Sequence, residues 1–389
     1  MENRTGLFTN MIIWFGVAIS VSEIEAGIQI ATAAPLNSIW MPLILGHIIG
    51  GILLYFVGLI GARLRVNAME SVKPTFGNSG SRFFAALNVM QLIAWVAVLN
   101  AQGTLALMGL DIGISFALTS VILAILVAIW VFIGLQRTSK ITSIIMAILT
   151  ILLVILSVRL LGLNGYHLIP AKNSASLTFW NIFEISIAMP ISWLPVISDY
   201  TKDAESPKKA TALSAIAYTV ASLWMYFIGI EIVSIGTADI SQAILLSGLG
   251  VQGVFILVLS TVTTNFLATN SAGESAKAIF NRIDPKIAGV IVSMLSAVLA
   301  ISGIMDHYIS FLYLISSVFA PMAAVLVVSF YLGKGKNDAK DWYWNIFSWF
   351  VGFVVYQITS GLDSIILGPT LIAVIVSAAL AYAWILLKK

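Results

Sequence analysis

Apolar runs long enough to cross a bilayer follow one another from residue 8 to residue 387, and this recurrence constrains the fold more than any single motif. A hydrocarbon core about 30 Å thick takes about 20 helical residues. Twelve such runs can be set out, at about 8–34, 39–62, 82–108, 113–135, 139–161, 178–199, 210–236, 250–272, 287–303, 307–332, 343–361 and 364–387. In lipid every backbone N–H and C=O must be satisfied internally, and near-continuous apolar runs achieve this as helices rather than as barrel strands. Only 10% of the residues are charged, against about a quarter in soluble domains. The expectation is an all-α integral membrane protein whose residues 1–389 form a single membrane domain, because no connection is rich enough in Gly, Ser or Pro to be a linker.

The charges between the runs report orientation. With the N-terminus placed inside, 18 of the 20 Lys and Arg residues fall in cytoplasmic segments, and only Arg159 and Lys172 fall outside. The positive-inside rule then puts both termini in the cytoplasm of a multi-pass cell-membrane protein. The first run reaches Pro35 with no small-residue cleavage site after a short apolar core, so it is expected to stay in the mature chain. There is no cysteine for a disulfide or thiolate site, and His47, His167 and His307 are too scattered for a metal cluster. Nothing points to nucleic acid, and no obligate protein partner is evident.

Polar residues inside the runs single out three helices. The first, WFGVAISVSEIEAGIQIATAAP from Trp14 to Pro35, carries Ser20, Ser22, Glu23 and Glu25 near its middle. A carboxylate at that depth is costly and normally faces a protein interior or a wet cavity. The sixth contains Pro190 and Pro195, and a proline pair removes backbone donors and clashes with the preceding turn, so a kink or break is expected. These two runs each open a set of five, helices 1–5 (about 8–161) and 6–10 (about 178–332). Five is odd, so the second set enters from the opposite side, the pattern of an inverted-repeat transporter with its site at the midplane. Helices 11–12, about 343–387, fall outside the repeat. The third polar helix is the eighth, where Ser260, Thr261, Thr263, Thr264, Asn265, Thr269, Asn270 and Ser271 offer the hard oxygen ligands a small cation takes.

Several of these residues admit two readings. Glu23 serves as a ligand for a substrate amine, as a proton-coupling group, or as one end of an interhelical bond. Glu25 points to another face of the same helix. Glu184 and Glu231 are read as structural acids, and Glu274 as the partner of a loop cation. Gln91 either meets a ring edge or joins two helices. Thr263 and Thr264 either bind an ion or bond back to their own helix. Asp306 and His307 fit a surface cap, Phe311 and Tyr313 either pack or gate, and the Gly46–Gly50 spacing allows close helix approach.

The residues that carry a family resemblance are WFGVAISVSEIEAG in the first helix, QLIAWVAVLNAQG in the third, MPISWLPVISDYTKDAESPKKA across the end of the sixth, and TVTTNFLAT in the eighth. With these motifs the chain resembles the nucleobase-cation-symport-1 family (NCS1) of cytosine, allantoin and hydantoin permeases, most closely its hydroxymethylpyrimidine-transporter (CytX) branch. The resemblance covers essentially the whole chain. It implies a LeuT-like 5+5 inverted repeat plus two C-terminal helices, working by alternating access, with Na+ (or H+) as coupling ion and no other cofactor. By motif matching it implies a sodium site from the carbonyls of Gly16, Ile19 and Ser260 and the hydroxyls of Thr263 and Thr264. It also implies a flat heterocycle held against Trp95. For the second stacking position Trp193 is the nearest aromatic, whereas counting back from Asp199 places Met189 or Pro190 there. The family's amides are Leu99 and Ser20 at two positions here, while Asn265 keeps its amide and Thr269 replaces one, so the ring edge read here differs from a hydantoin. Ser20, Glu23, Gln91, Trp95, Met189, Trp193, Asn265 and Thr269 are the candidate substrate-binding residues.

The function expected is secondary active import of a small pyrimidine-type heterocycle, with hydroxymethylpyrimidine first and cytosine or another nucleobase as the alternative. A membrane enzyme is disfavoured by the absence of HExxH, GxSxG and a membrane aspartate pair. A channel would differ in giving flux that does not saturate.

Overall fold

The structure is a computed structural model that describes residues 4–111, 113–163, 177–333, 339–362 and 366–388, with only the backbone described for 135–143 and 251. His167, Lys172, Lys334, Lys336 and Lys389 lie outside the described residues, as do the side chains of Arg137 and Lys140.

The first span is broken into α1 (Leu7–Ala18) and α2 (Val21–Ala33), whose axes differ by 48°. The second is α3 (Leu36–Leu64), followed by a short α4 (Ala68–Ser71) and the third span α5 (Lys73–Met108). The fourth and fifth are α6 (Phe116–Ile133) and α7 (Leu135–Gly162). The sixth is broken again, into α8 (Phe179–Ser192) and α9 (Ile197–Thr201). Then come the seventh span α10 (Pro207–Ser234), a short α11 (Ile240–Leu246), the eighth α12 (Gly250–Ile279), the ninth α13 (Pro285–Ile301) and the tenth α14 (Tyr308–Leu332). The last two are α15 (Ala339–Ser360) and α16 (Gly368–Leu387).

Among the described residues, eight helices are long and apolar enough to cross a bilayer, and the bent α1–α2 pair makes a ninth. The other three expected spans fall short for visible reasons. α8 and α9 are interrupted, α13 has 17 residues, and α15 opens on Lys340, Asp341 and Asn345. One boundary differs from the expectation: the stretch before Ser81 is helical from Lys73, bent at Gly77, where φ is +69°. Only glycine takes that conformation without strain.

The packing displays the inverted repeat. The broken first span lies on α10, the second helix of the other half, and the broken sixth span lies on α3, the second helix of its own opposite half. The third and eighth spans, α5 and α12, pack on each other, as do the fourth and ninth, α6 and α13. Glycines permit both of the close crossings. A Cβ at Gly27 or Gly229 would run into the backbone of α10 or α2, and a Cβ at Gly46 or Gly50 would meet Ser186 or Pro190 of α8. Small residues of this kind let membrane helices approach closely enough for dispersion contacts to hold them. The last two spans pack on each other and on α14. Glu184 of α8 accepts the Thr370 N–H at 3.0 Å and its hydroxyl at 2.6 Å, which caps the first turn of α16 and accounts for this acid as a structural one. Glu274 lies 4.0 Å from Lys202.

Candidate substrate and cation sites

No proline interrupts the first span. Instead Ile19 (φ −76°, ψ 84°) centres an inverse γ-turn in which the Ser20 N–H donates to the Ala18 carbonyl at 2.9 Å. That N–H is thereby diverted from Gly16, its partner in an unbroken helix. Ser20 then starts α2, its hydroxyl accepting the Glu23 N–H at 3.3 Å. The turn aims the Ile19 carbonyl at α12, where it accepts the Ser260 hydroxyl at 3.0 Å and the Thr264 hydroxyl at 3.3 Å. The Thr263 hydroxyl donates to the carbonyls of Leu259 at 2.7 Å and Ser260 at 3.2 Å. Of the five candidate cation ligands, Ile19, Ser260 and Thr264 are thus directly bonded, and Thr263 joins through the Ser260 carbonyl. Ser260 meets Ile19 with its hydroxyl rather than with the carbonyl that the family resemblance implies. Gly16 packs on the Met146 side chain of α7. The donor set is all oxygen and uncharged, which fits a small monovalent cation.

The sixth span behaves differently. Pro190 stays inside α8, and the break falls later, over Trp193–Val196, with Pro195 within it. Its freed carbonyls are taken by amides of α5: Gln91 Nε2 donates to Ser192 at 3.0 Å, and Asn88 Nδ2 donates to Pro195 at 3.1 Å. Asn88 also donates to Ser275 and accepts from Gln91, each at 2.8 Å. Gln91 therefore joins two helices, and its Oε1 is left over.

Around Trp95 the aromatic neighbours are Phe311, edge-on at 5.4 Å, and Tyr308, at 6.3 Å. Tyr308 also shares a hydrogen bond of 3.0 Å with Ser22, tying α14 to α2 above the tryptophan. Trp193 rests edge-on against Trp14 at 6.1 Å, and Trp14 meets Tyr200 and Tyr218 at the same distance, forming one aromatic cluster. Met189 is buried in α8. On the paired helices α5 and α12, seven buried side chains hold polar atoms with no bonded partner: Thr75 Oγ1, Gln91 Oε1, Trp95 Nε1, both amide atoms of Gln102, Thr261 Oγ1, Asn265 Oδ1 and Thr269 Oγ1. Buried polar atoms are rarely left unmet, so a run of them along one helix pair suits a polar-edged ligand. Of these residues Gln102 lines a cavity of about 270 Å³ between α2, α5 and α11, together with Glu25 and Asp239, whereas Gln91, Trp95, Asn265 and Thr269 do not line it.

Glu23 is placed apart from this cluster. Its carboxylate accepts the Tyr218 hydroxyl at 3.0 Å and the Ser222 hydroxyl at 2.8 Å, both from α10. Tyr308, Asn88 and Gln102 beside the cluster, and Tyr218 and Ser222 around Glu23, were not singled out from the sequence. Gln102 and Asn88 had a signal, being intramembrane amides within two turns of Trp95; the others are single hydroxyls on apolar helices and had none.

Comparison with known proteins agrees in scale with this geometry. A family model described as "Permease for cytosine/purines, uracil, thiamine, allantoin" matches residues 1–383. The cytosine permease of Escherichia coli (strain K12) is 21% identical over 341 residues, 86% of this chain and 80% of that protein. Among solved structures, Mhp1, a nucleobase-cation-symport-1 family transporter in a closed conformation with bromovinylhydantoin bound, superposes with a TM-score of 0.80 at 21% identity, covering 100% of this chain and 94% of Mhp1. A Na+-coupled sialic acid symporter in a substrate-bound outward-open state gives 0.74 at 14% identity, covering 99% and 90%.

Proposed function

The chain belongs to the nucleobase-cation-symport-1 family of permeases for cytosine/purines, uracil, thiamine and allantoin, and we propose that it is a cation-coupled importer of a small pyrimidine-type heterocycle. The observation that carries this reading is the pairing of Trp95 with the unmet amide and hydroxyl groups of Gln91, Gln102, Asn265 and Thr269 along α5 and α12. An aromatic face selects a flat ring, and a few fixed polar atoms select its edge. Hydroxymethylpyrimidine is the first substrate under this reading and cytosine the second. The cation, sodium first, binds where Ile19 meets Ser260 and Thr264, with Thr263 and Gly16 completing the set. An ion held between the first and eighth spans stabilises the conformation that brings both to the substrate, which is how its binding is coupled to uptake. The whole chain works as one membrane domain, with both termini in the cytoplasm as the basic residues indicate.

The test is uptake by proteoliposomes of labelled hydroxymethylpyrimidine, cytosine, uracil and allantoin, each with a sodium gradient, a proton gradient or neither. Saturable accumulation of a pyrimidine that needs a cation gradient is the expected result. Failure of all four to accumulate would remove the substrate class, and unsaturable gradient-independent flux would remove the carrier mechanism.

A further inference from the structure

A second buried polar chain runs behind the first break, and neither the cation site nor the ring site uses it. His47 of α3 is fully buried with both ring nitrogens engaged. Nε2 lies 2.7 Å from Ser222 Oγ, and Nδ1 lies 2.7 Å from Ser186 Oγ and 3.1 Å from the Leu43 carbonyl. Ser222 in turn lies 2.8 Å from Glu23 Oε2. The chain joins α2, α10, α3 and α8, so it ties the outer halves of the two broken spans together. The other titratable groups facing it are Tyr218, bonded to Glu23, Tyr226, edge-on to the His47 ring at 4.9 Å, Tyr308, bonded to Ser22, and Glu25 on the same helix.

Counting hydrogens fixes the protonation this geometry accepts. The Ser186 hydroxyl donates to the Leu43 carbonyl at 2.5 Å. Both of those oxygens therefore face His47 Nδ1 as acceptors, so Nδ1 carries a hydrogen. Ser222 has one hydroxyl hydrogen to place between Glu23 and Nε2. With an ionised Glu23 and a neutral His47, two acceptors compete for that hydrogen and one is left unmet. A single added proton satisfies every atom. On Glu23, it donates to Ser222 Oγ while the Ser222 hydroxyl donates to Nε2. On His47, Nε2–H donates to Ser222 Oγ while the Ser222 hydroxyl donates to the carboxylate. The two forms interconvert by shifting two hydrogens along the chain. A second proton would point two donors at Ser222 and leave its own hydrogen without an acceptor.

We propose that Glu23, Ser222 and His47 form a site for one proton, separate from the cation site at Ile19, Ser260 and Thr264, and that its occupancy is linked to substrate binding. The linkage follows from position, since Glu23 occupies the first turn of α2, whose cap Ser20 and preceding residue Ile19 form the break. It rests on the transport reading, whereas the proton count does not.

The experiment is a pH titration of the full-length protein in lipid without substrate, following 15N-labelled histidine by NMR and carboxyl bands by infrared difference spectroscopy. The expected result is one titration step shared by His47 and a glutamate band, with that band lost in Glu23→Gln. The amide introduced by this substitution can donate to Ser222 as a protonated acid does, so in this variant His47 should remain neutral with Nδ1 protonated at every pH tested. Ser222→Ala should split the shared step into two. Titration of His47 in Glu23→Gln as in the parent, or an unsplit step in Ser222→Ala, would overturn the site. With substrate present, the parent's Kd should rise by about tenfold per pH unit above the shared step, as linkage of one proton requires, and Glu23→Gln should flatten that slope. A parallel slope in the variant would overturn the linkage while leaving the titration result intact. A protein that titrates as expected but accumulates no heterocycle would instead remove the transport reading and leave the proton site standing.

Discussion

The two broken spans are symmetry mates, yet their freed carbonyls are served by different chemistry. At the first break the Ile19 carbonyl is met by the rotatable hydroxyls of Ser260 and Thr264, at 3.0 and 3.3 Å. At the sixth the carbonyls of Ser192 and Pro195 are met by the amides of Gln91 and Asn88, which are themselves bonded to each other. A hydroxyl can turn its hydrogen away and offer its oxygen to a cation together with the carbonyl it had served, whereas the Gln91 and Asn88 amides would have to turn over and break their mutual bond to present oxygen there. The first break is therefore exchangeable and the sixth is fixed. Under the proposed reading, cation binding is assigned to the first member of the symmetric pair, and the other acts as the frame against which it changes.

That contrast can be broken from several sides. The largest effect should come from the shared packing that holds both breaks in place. Gly229→Val, which drives a side chain into the α2 backbone, and Gly50→Val, which drives one into Pro190, should each cost about 3 kcal/mol or more and leave little folded protein by size-exclusion chromatography. Monodisperse protein at parental yield would show that neither crossing is tight. Next, Trp95→Ala should weaken heterocycle binding by about 1–3 kcal/mol, the usual worth of stacking a base on an aromatic ring, under sodium and proton gradients alike. Affinity unchanged in a binding assay would move the ring elsewhere.

Asn88→Ala strips the donor from the Pro195 carbonyl and should destabilise the protein by about 1–3 kcal/mol, the cost of an unmet buried partner. It should leave the ratio of sodium-dependent to sodium-independent binding as it was. A thermal-shift assay beside a sodium titration separates these, and a lost sodium response would mean the sixth break also takes part in coupling. The smallest change expected is Tyr308→Phe, which removes the bond to Ser22 for about 0.5–1.5 kcal/mol and should speed substrate exchange from the outer side without altering the cation requirement.

How far these features were legible before the structure depended on whether the signal was local. The twelve spans and the 5+5 arrangement follow from apolar length and count, and the contacts of the first span with α10 and the sixth with α3 display the same symmetry. The first span was marked out by its misplaced Ser20 and Glu23, but the inverse γ-turn at Ile19 that breaks it has no residue signature. The sixth was expected from two prolines, yet Pro190 is accommodated within α8 and the chain opens only after Ser192. The role of Glu23 was open because its partners Tyr218 and Ser222 lie 195 and 199 residues away. His47 reaches Ser222 across 175 residues. A lone polar residue on an apolar helix carries no periodicity that would name its partner, so such pairs emerge only when the helices are set side by side.

The claim that the first break is the exchangeable one is tested most directly by measuring the heterocycle's Kd against sodium concentration in the parent and in Thr264→Ala. The account predicts that sodium tightens binding in the parent and that the variant needs at least about tenfold more sodium for the same effect, a loss of about 1.4 kcal/mol. Identical sodium curves for the two proteins would contradict it.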